Sequence, residues 1–354
     1  MPGERTINIA GAGPSGLAAA IWLRRHGYGV RVFDKAPAAG SRFRGDFQGI
    51  ENWTSRKDAI DCLREMGVEP DFPAAPYYGG SIFPPDAPPV EIKSQRPMFY
   101  LVRRGPMPGT LDYSLMEQAL AAGAELRFGH RLESFDEMDI VGTGPGGLVT
   151  LIAGVTFRTS AEDAAYALLD EEFAPGGYAY LLVCGGLATM ATVLYRDFPR
   201  ASECLRRTRA FFASRISLDV SQERRFSGRI NFFVRDSHQK DGRLYVGEAA
   251  GFQDCLWGFG MRYAIASGHL AARSIVEGED YDSLWKKELG RGLHASLINR
   301  HLFEWFGRWG FKRIPRGLAR SADPRASLMG QYRLSPLKRL LLPLCRRRFE
   351  APPL

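Results

Sequence analysis

A glycine loop set between a strand and a helix, near the start of the chain, restricts the fold more than any other feature. Ile7-Asn8-Ile9-Ala10 reads as a buried strand, Gly11-Ala12-Gly13-Pro14-Ser15-Gly16 as a GxGxxG loop, and Leu17 to His26 as an Ala- and Leu-rich helix closed by Gly27. In such a loop Gly11 permits the tight turn, Gly13 lets backbone N–H groups approach a pyrophosphate, and Gly16 lets helix and strand pack closely. The helix N-terminus, beginning at Pro14 and Ser15, adds positive potential. Val30 to Asp34 forms a second strand whose last residue lies eighteen positions beyond Gly16. A carboxylate at that spacing, with Lys35 beside it, suits the hydroxyls of an adenosine ribose. The pattern predicts a doubly wound α/β domain that binds a dinucleotide.

Two later segments bear on which dinucleotide. Asp139 to Pro145 is a short strand that runs into a glycine turn containing Gly144, and Arg243 to Gly251 is a strand that ends at Gly247-Glu248 among small residues. Gly258-Phe259-Gly260 then opens a helix, Met261 to Val276. This three-part pattern resembles the flavoprotein fold shared by aromatic hydroxylases and geranylgeranyl reductases. The resemblance implies FAD, with Glu248 near its pyrophosphate and ribitol and the helix beginning at Met261 aimed at the flavin pyrimidine, where negative charge collects on reduction.

Within that superfamily the chain resembles the geranylgeranyl reductase family over most of its length. Gly40-Ser41-Arg42-Phe43-Arg44-Gly45-Asp46 is similar to an early GxxxxCGE segment, and Arg103-Arg104 through Leu111-Asp112-Tyr113-Ser114-Leu115 to an RxxFDxxL stretch. Residues 176–183, GGYAYLLV, resemble a YxWxFP hairpin that lines an isoprenoid channel, and residues 281–289, YDSLWKKEL, resemble the closing helix. The sequence departs from the family at Arg44 (for Cys), Tyr180 (for Trp), Leu182-Val183 (for Phe-Pro), Glu248 (for Asp) and Cys255 (for Pro). The resemblance adds Arg44 and Arg104 to the cofactor-contacting set.

Hydride chemistry on a bound flavin asks the protein to orient an apolar substrate and exclude water. Tyr178, Tyr180, Trp257 and Phe259 are the aromatic candidates for that wall, and Cys255 is either a proton donor or, the favoured reading, a small buried thiol. Seven phenylalanines (Phe128, Phe157, Phe211, Phe212, Phe226, Phe232, Phe233) give enough aromatic bulk for a greasy cavity between the domains, or else serve mostly as core. The six histidines are scattered singly, the five cysteines form no CxxC pair, and no metal site is expected. The expected activity is reduction of C=C bonds in a lipophilic, prenyl-like substrate. NAD(P)H or a ferredoxin-like protein would be the electron donor. A flavin monooxygenase or halogenase, and a non-catalytic flavin-binding membrane protein, are the alternatives.

At 354 residues the chain exceeds one hydrophobic core. The expected architecture is a discontinuous Rossmann-type FAD domain (1–72, 97–155 and 236–280), an antiparallel-sheet substrate domain (73–96 and 156–235) and a helical C-terminal region with a basic tail (281–354). Residues 173–195 carry no charge for twenty-three positions, but Gly185-Gly186 divides them, so they read as a β-hairpin rather than a membrane span. The net charge of +8 is local: residues 311–354 hold eleven Lys and Arg against Asp323 and Glu350. A neutral body with one cationic tail suits an anionic membrane surface at least as well as nucleic acid, and no nucleic-acid partner is expected. It leaves open whether residues 335–349, SPLKRLLLPLCRRRF, dock on an anionic membrane or fold back over the body. The N-terminus has no signal-peptide pattern, so the cytoplasm is expected, with peripheral membrane attachment through the tail as the variant reading.

Overall fold

The computed structural model describes residues 5–348. The ends of the first and last expected regions, 1–4 and 349–354, lie outside the described residues, as does the side chain of Arg348. The chain opens with β1 (Thr6–Ala10), α1 (Pro14–Arg25), β2 (Gly29–Phe33), β3 (Phe47–Glu51), α2 (Ala59–Glu65), β4 (Ala74–Tyr77), β5 (Gly79–Phe83), β6 (Val90–Lys93), β7 (Phe99–Arg103) and α3 (Leu111–Ala121). It continues with β8 (Glu125–Arg127), β9 (Ile140–Val141), β10 (Thr150–Arg158), β11 (Ala164–Leu168), β12 (Tyr178–Cys184), β13 (Leu187–Leu194), α4 (Ala201–Ala213) and β14 (Ser221–Ile230). The last elements are β15 (Gln239–Lys240), β16 (Arg243–Tyr245), α5 (Met261–Glu277), α6 (Tyr281–Trp285), α7 (Arg291–Ala319), α8 (Pro324–Gln331) and α9 (Pro336–Arg348).

Three sheets result. The first has the order β15-β16-β9-β1-β2-β8, parallel apart from the β15–β16 edge pair. Parallel strands are covered on both faces, and in β1 Ile7, Ile9 and Ala10 are fully buried. Each large aliphatic side chain removed from water in this way contributes about 2 kcal/mol. Against this sheet α1 and α5 cross in close contact, because Gly268 offers no side chain to the Ser15 backbone: a Cβ there would sit 1.9 Å from the Ser15 carbonyl oxygen.

The second sheet has the order β14-β10-β13-β12-β11-β5-β6 and is antiparallel except for the β5–β11 pair. The uncharged run forms the expected hairpin, with β12 and β13 paired from Tyr178↔Val193 to Cys184↔Leu187. Period-two alternation divides β12 between two environments. Ala179, Leu181 and Val183 pack with Phe212 of α4 in one apolar cluster, while Tyr178, Tyr180 and Leu182 line a cavity on the opposite face. The third sheet, β3-β7-β4, joins the other two.

Two expected boundaries shift. The division at 155/156 falls inside β10, and all of that strand belongs to the seven-stranded sheet because it pairs with β13 and β14 along its length. In the segment 73–96, β4 pairs with β7 in the connecting sheet, while β5 and β6 join the larger one. The C-terminal region is helical, and it also packs over the cavity: Leu318, Leu328 and Tyr332 share a cluster with Trp53, Ile92 and Met98. No helix among the described residues is long and apolar enough to cross a membrane.

Candidate functional site

One cavity of about 630 Å³ runs between the two large sheets, a size typical of small-molecule sites. At one end its wall is the glycine loop. A Cβ on Gly11 would lie 2.3 Å from the Gly142 carbonyl oxygen and one on Gly16 would lie 2.0 Å from that of Gly11, whereas one on Gly13 would meet nothing within 4 Å. Two of the three glycines are therefore required by protein packing. The third leaves open space that only a ligand would use.

The helix ends give the sign of that ligand. α2, α3, α6 and α8 each begin with an Asp or Thr whose side chain accepts a first-turn N–H. α1 and α5 begin at Gly13 and Gly260 with no side-chain cap and no acidic residue in the first turn, and both of these glycines border the cavity. Uncapped N–H groups and the positive helix dipole at two points of one cavity suit an extended anionic molecule. Asp34, just past the end of β2, also borders the cavity, its orientation fixed by N–H donation from Ala12 (2.7 Å) and Ala36 (2.8 Å). Lys35, Gly144, Glu248, Gly258, Phe259 and Met261 also border the cavity, as do Pro14 and Ser15. Gly247 packs on Ser15 instead, where a Cβ would meet the serine Oγ at 2.6 Å.

Arg104 borders the cavity, but its guanidinium is largely committed to the protein. It forms a bidentate pair with Asp112 (2.8 and 2.7 Å), donates to Gln48 Oε1 (2.8 Å) and lies 4.1 Å over the Phe43 ring. Arg44 is a correction: its side chain is exposed and outside the cavity, and only its backbone N–H reaches the buried Asp46, at 3.0 Å. Burial raises the Asp46 carboxyl above the usual carboxylate value. Of the two arginines in this loop it is Arg42 that borders the cavity, and it pairs with Glu248 at 3.0 Å. Sequence reading missed it because an irregular loop has no period to show which of two nearby arginines turns inward.

The other end of the cavity is apolar. Tyr178, Tyr180 and Trp257 all border it, joined by Ile152, Val193 and Ile230 from the larger sheet. The Tyr178 hydroxyl donates to the Trp257 carbonyl, and the two rings meet edge-on at 5.8 Å. Tyr180 borders the same space, and burial raises its hydroxyl well above the usual phenol value, so it stays protonated at neutral pH. Asp254, fully buried behind this wall, accepts from the Trp257 N–H (2.8 Å) and the Tyr332 hydroxyl (2.9 Å). Burial pushes its carboxyl up to about 7.

For Cys255 and the phenylalanines the structure takes the packing reading over the site reading. Cys255 does not reach the cavity; it is sealed among Ile230, Phe232, Leu297 and Ile298, and burial raises its thiol far above the ordinary value, so it has no route to a substrate. Of the seven phenylalanines only Phe226 borders the cavity, the rest being packing residues or edge groups elsewhere. Ile314, Pro315 and Leu318 of α7 and Leu328 of α8 complete the apolar wall. No sequence signal marked them, since they lie beyond the last recognisable segment, 281–289.

Comparison with known proteins agrees with this geometry. The FAD binding domain family matches residues 4–140. Thiamine thiazole synthase of Methanococcus maripaludis is 38% identical over 65 residues, 18% of this chain, and the match spans about a quarter of that protein, 25% of its length. Among solved structures, a geranylgeranyl bacteriochlorophyll reductase-like protein from Thermoplasma acidophilum superposes with a TM-score of 0.72 at 17% identity, covering 96% of this chain and 99% of that one. A flavin-dependent brominase superposes with a TM-score of 0.65 at 16% identity, covering 97% and 98%. The open Gly13 cradle, the two uncapped helix ends and Asp34 fit the pyrophosphate and ribose of FAD. The chain is thus an FAD-binding flavoprotein with the fold shared by geranylgeranyl reductase-like proteins and flavin-dependent halogenases, and its cofactor is FAD.

Proposed function

We propose that this flavoprotein reduces C=C bonds of a lipophilic, prenyl-like substrate. The observation that carries the reading is the continuity of one cavity from the glycine-loop cradle to a chamber walled by aliphatic and aromatic side chains. FAD, when bound and reduced, supplies the hydride. The chain's own residues do the rest. Ile152, Val193, Ile230 and Trp257 exclude water and hold an apolar chain against the cofactor end. Alkene reduction also needs a proton on the second carbon. Tyr178 spends its hydroxyl on the Trp257 carbonyl, whereas the Tyr180 hydroxyl has no protein partner among the described residues and holds its proton at neutral pH. Tyr180 therefore donates the proton and recovers one from solvent.

A second reading, oxygenation or halogenation of an apolar or aromatic substrate, is favoured by the likeness of the whole fold to halogenases. One experiment separates them. Anaerobically reduced protein is mixed with geranylgeraniol, or with oxygen plus halide and an aromatic acceptor, and products are identified by mass spectrometry. Gain of two hydrogens by the polyprenol supports the first reading. Its absence, together with an oxygenated or halogenated acceptor, replaces it with the second.

A further inference from the structure

α7 bends at Gly307 (φ 46°, ψ −135°), and beyond the bend its two sides differ. Ile314, Pro315 and Leu318 turn inward and line the cavity. On the outside, Trp305 and Trp309 are 75% and 53% exposed, linked through the Phe306 ring at 5.4 and 5.3 Å. Arg313, Arg316 and Arg320 continue from Trp309 at spacings of four, three and four residues, which places them on one helical stripe. The Arg313 guanidinium lies 4.5 Å over the Trp309 ring.

α9 is divided in the same way. Its inner side packs Leu341, Leu342 and Cys345 on the body, with Lys338 Nζ donating to Asn299 Oδ1 of α7 at 2.6 Å and Arg346 paired with Asp236 at 2.6 Å. The basic tail is thus folded back, but only along that side. The other side presents Leu337, Leu340 and Leu344 at 71%, 79% and 56% exposure, beside the exposed Arg333, Arg339 and Arg347. Ion pairs in this region use Arg308, Lys312 and Arg346. The six outward arginines of these helices and the segments adjoining them have no carboxylate partner among the described residues.

Single exposed apolar residues are ordinary on protein surfaces, but these are clustered and interleaved with unpaired cations. We infer that the outer faces of α7 and α9 dock on an anionic lipid bilayer, with the indoles and leucines in the interface and the guanidinium groups on lipid phosphates. Charge complementarity selects the occupant, since the last forty-four residues carry eleven cations against two acids. A protein partner would have to supply a matching set of carboxylates around two separate apolar clusters. Docking would also bring the bilayer within one helix diameter, about 10 Å, of the cavity wall, a short path for a substrate dissolved in lipid. That purpose rests on the substrate class proposed above, whereas the surface itself does not.

The test uses the full FAD-loaded chain in flotation with vesicles of phosphatidylcholine, with or without phosphatidylglycerol. The protein should float with anionic vesicles at low salt and fall by about tenfold on neutral vesicles or at high salt. Trp305→Ser/Trp309→Ser and Leu337→Ser/Leu340→Ser/Leu344→Ser should each reduce bound protein about tenfold, with FAD content and turnover of detergent-dispersed geranylgeraniol unchanged. Wild-type protein that stays unbound on anionic vesicles, or variants that float like wild type, would overturn the inference. So would a dimer that the same variants dissolve, because a second copy would then be the occupant. Docking with no turnover of the polyprenol would remove the proposed reaction and leave the surface standing.

Discussion

The two large sheets face the same cavity and meet their ligands by different means. The parallel sheet offers backbone: an open glycine, two uncapped helix ends and a carboxylate held in place by two N–H groups. The seven-stranded sheet offers side chains, with Tyr178, Tyr180 and Leu182 brought to the cavity by strand alternation. Backbone recognition tolerates few residues at a few spacings, because a Cβ at Gly11 or Gly16 would collide with main-chain oxygen. Side-chain recognition of an apolar molecule tolerates many residues of similar shape. The first half of the site is therefore written as a motif, and the second is not.

The largest expected effect tests the cradle. Gly13→Val should abolish FAD uptake while the apo chain stays folded, since the space above Gly13 is empty and its φ of −82° is open to any residue. Gly16→Val should fail to fold. Flavin absorbance after reconstitution, read beside a thermal melt, checks both, and a yellow Gly13→Val protein would break the contrast between the two sheets.

The parallel half should also be less forgiving in stability. Asp112→Ala leaves the buried Arg104 guanidinium without its carboxylate and should cost about 3–5 kcal/mol in denaturant unfolding. A loss within 1 kcal/mol or so of wild type would mean that water or Gln48 suffices for Arg104.

In the chamber, Tyr180→Phe should lower turnover of geranylgeraniol about 100-fold with FAD content unchanged. Tyr178→Phe, whose hydroxyl is already committed, should cost far less. Trp257→Ala should reduce turnover more than flavin content, because its ring walls the apolar end. Equal effects of the two tyrosine variants would remove the proton-donor assignment.

A pH dependence comes from Asp254. Its folded value of about 7 lies above the unfolded value of 3.8, so between these limits the folded protein holds a proton that the unfolded chain has released. Its contribution to stability is present in full below about pH 4 and is lost as pH rises to about 7. Asp254→Asn should flatten that part of the curve in thermal melts. An unchanged slope would show that the carboxylate is ionised in the fold.

What the sequence determined by itself was the first βαβ unit: β1, the glycine loop, α1 and β2 with Asp34 form where spacing placed them. The later Glu248 and Gly258 to Met261, read from a family resemblance, border the same cavity. These contacts are local and backbone-made, so each leaves a trace in a few consecutive residues. The β12–β13 hairpin was legible for the same reason, through two runs of strand-forming residues divided by its glycine turn. Tertiary structure alone decided which arginine faces the cavity, Arg42 rather than Arg44, and that Cys255 is sealed off while Asp254 beside it is buried under Tyr332. It also decided that β10 belongs wholly to the larger sheet and that α7 and α8 close the chamber. Those outcomes depend on packing between segments far apart in the chain, where the burial of one apolar face against another is non-directional and leaves no fixed spacing to read.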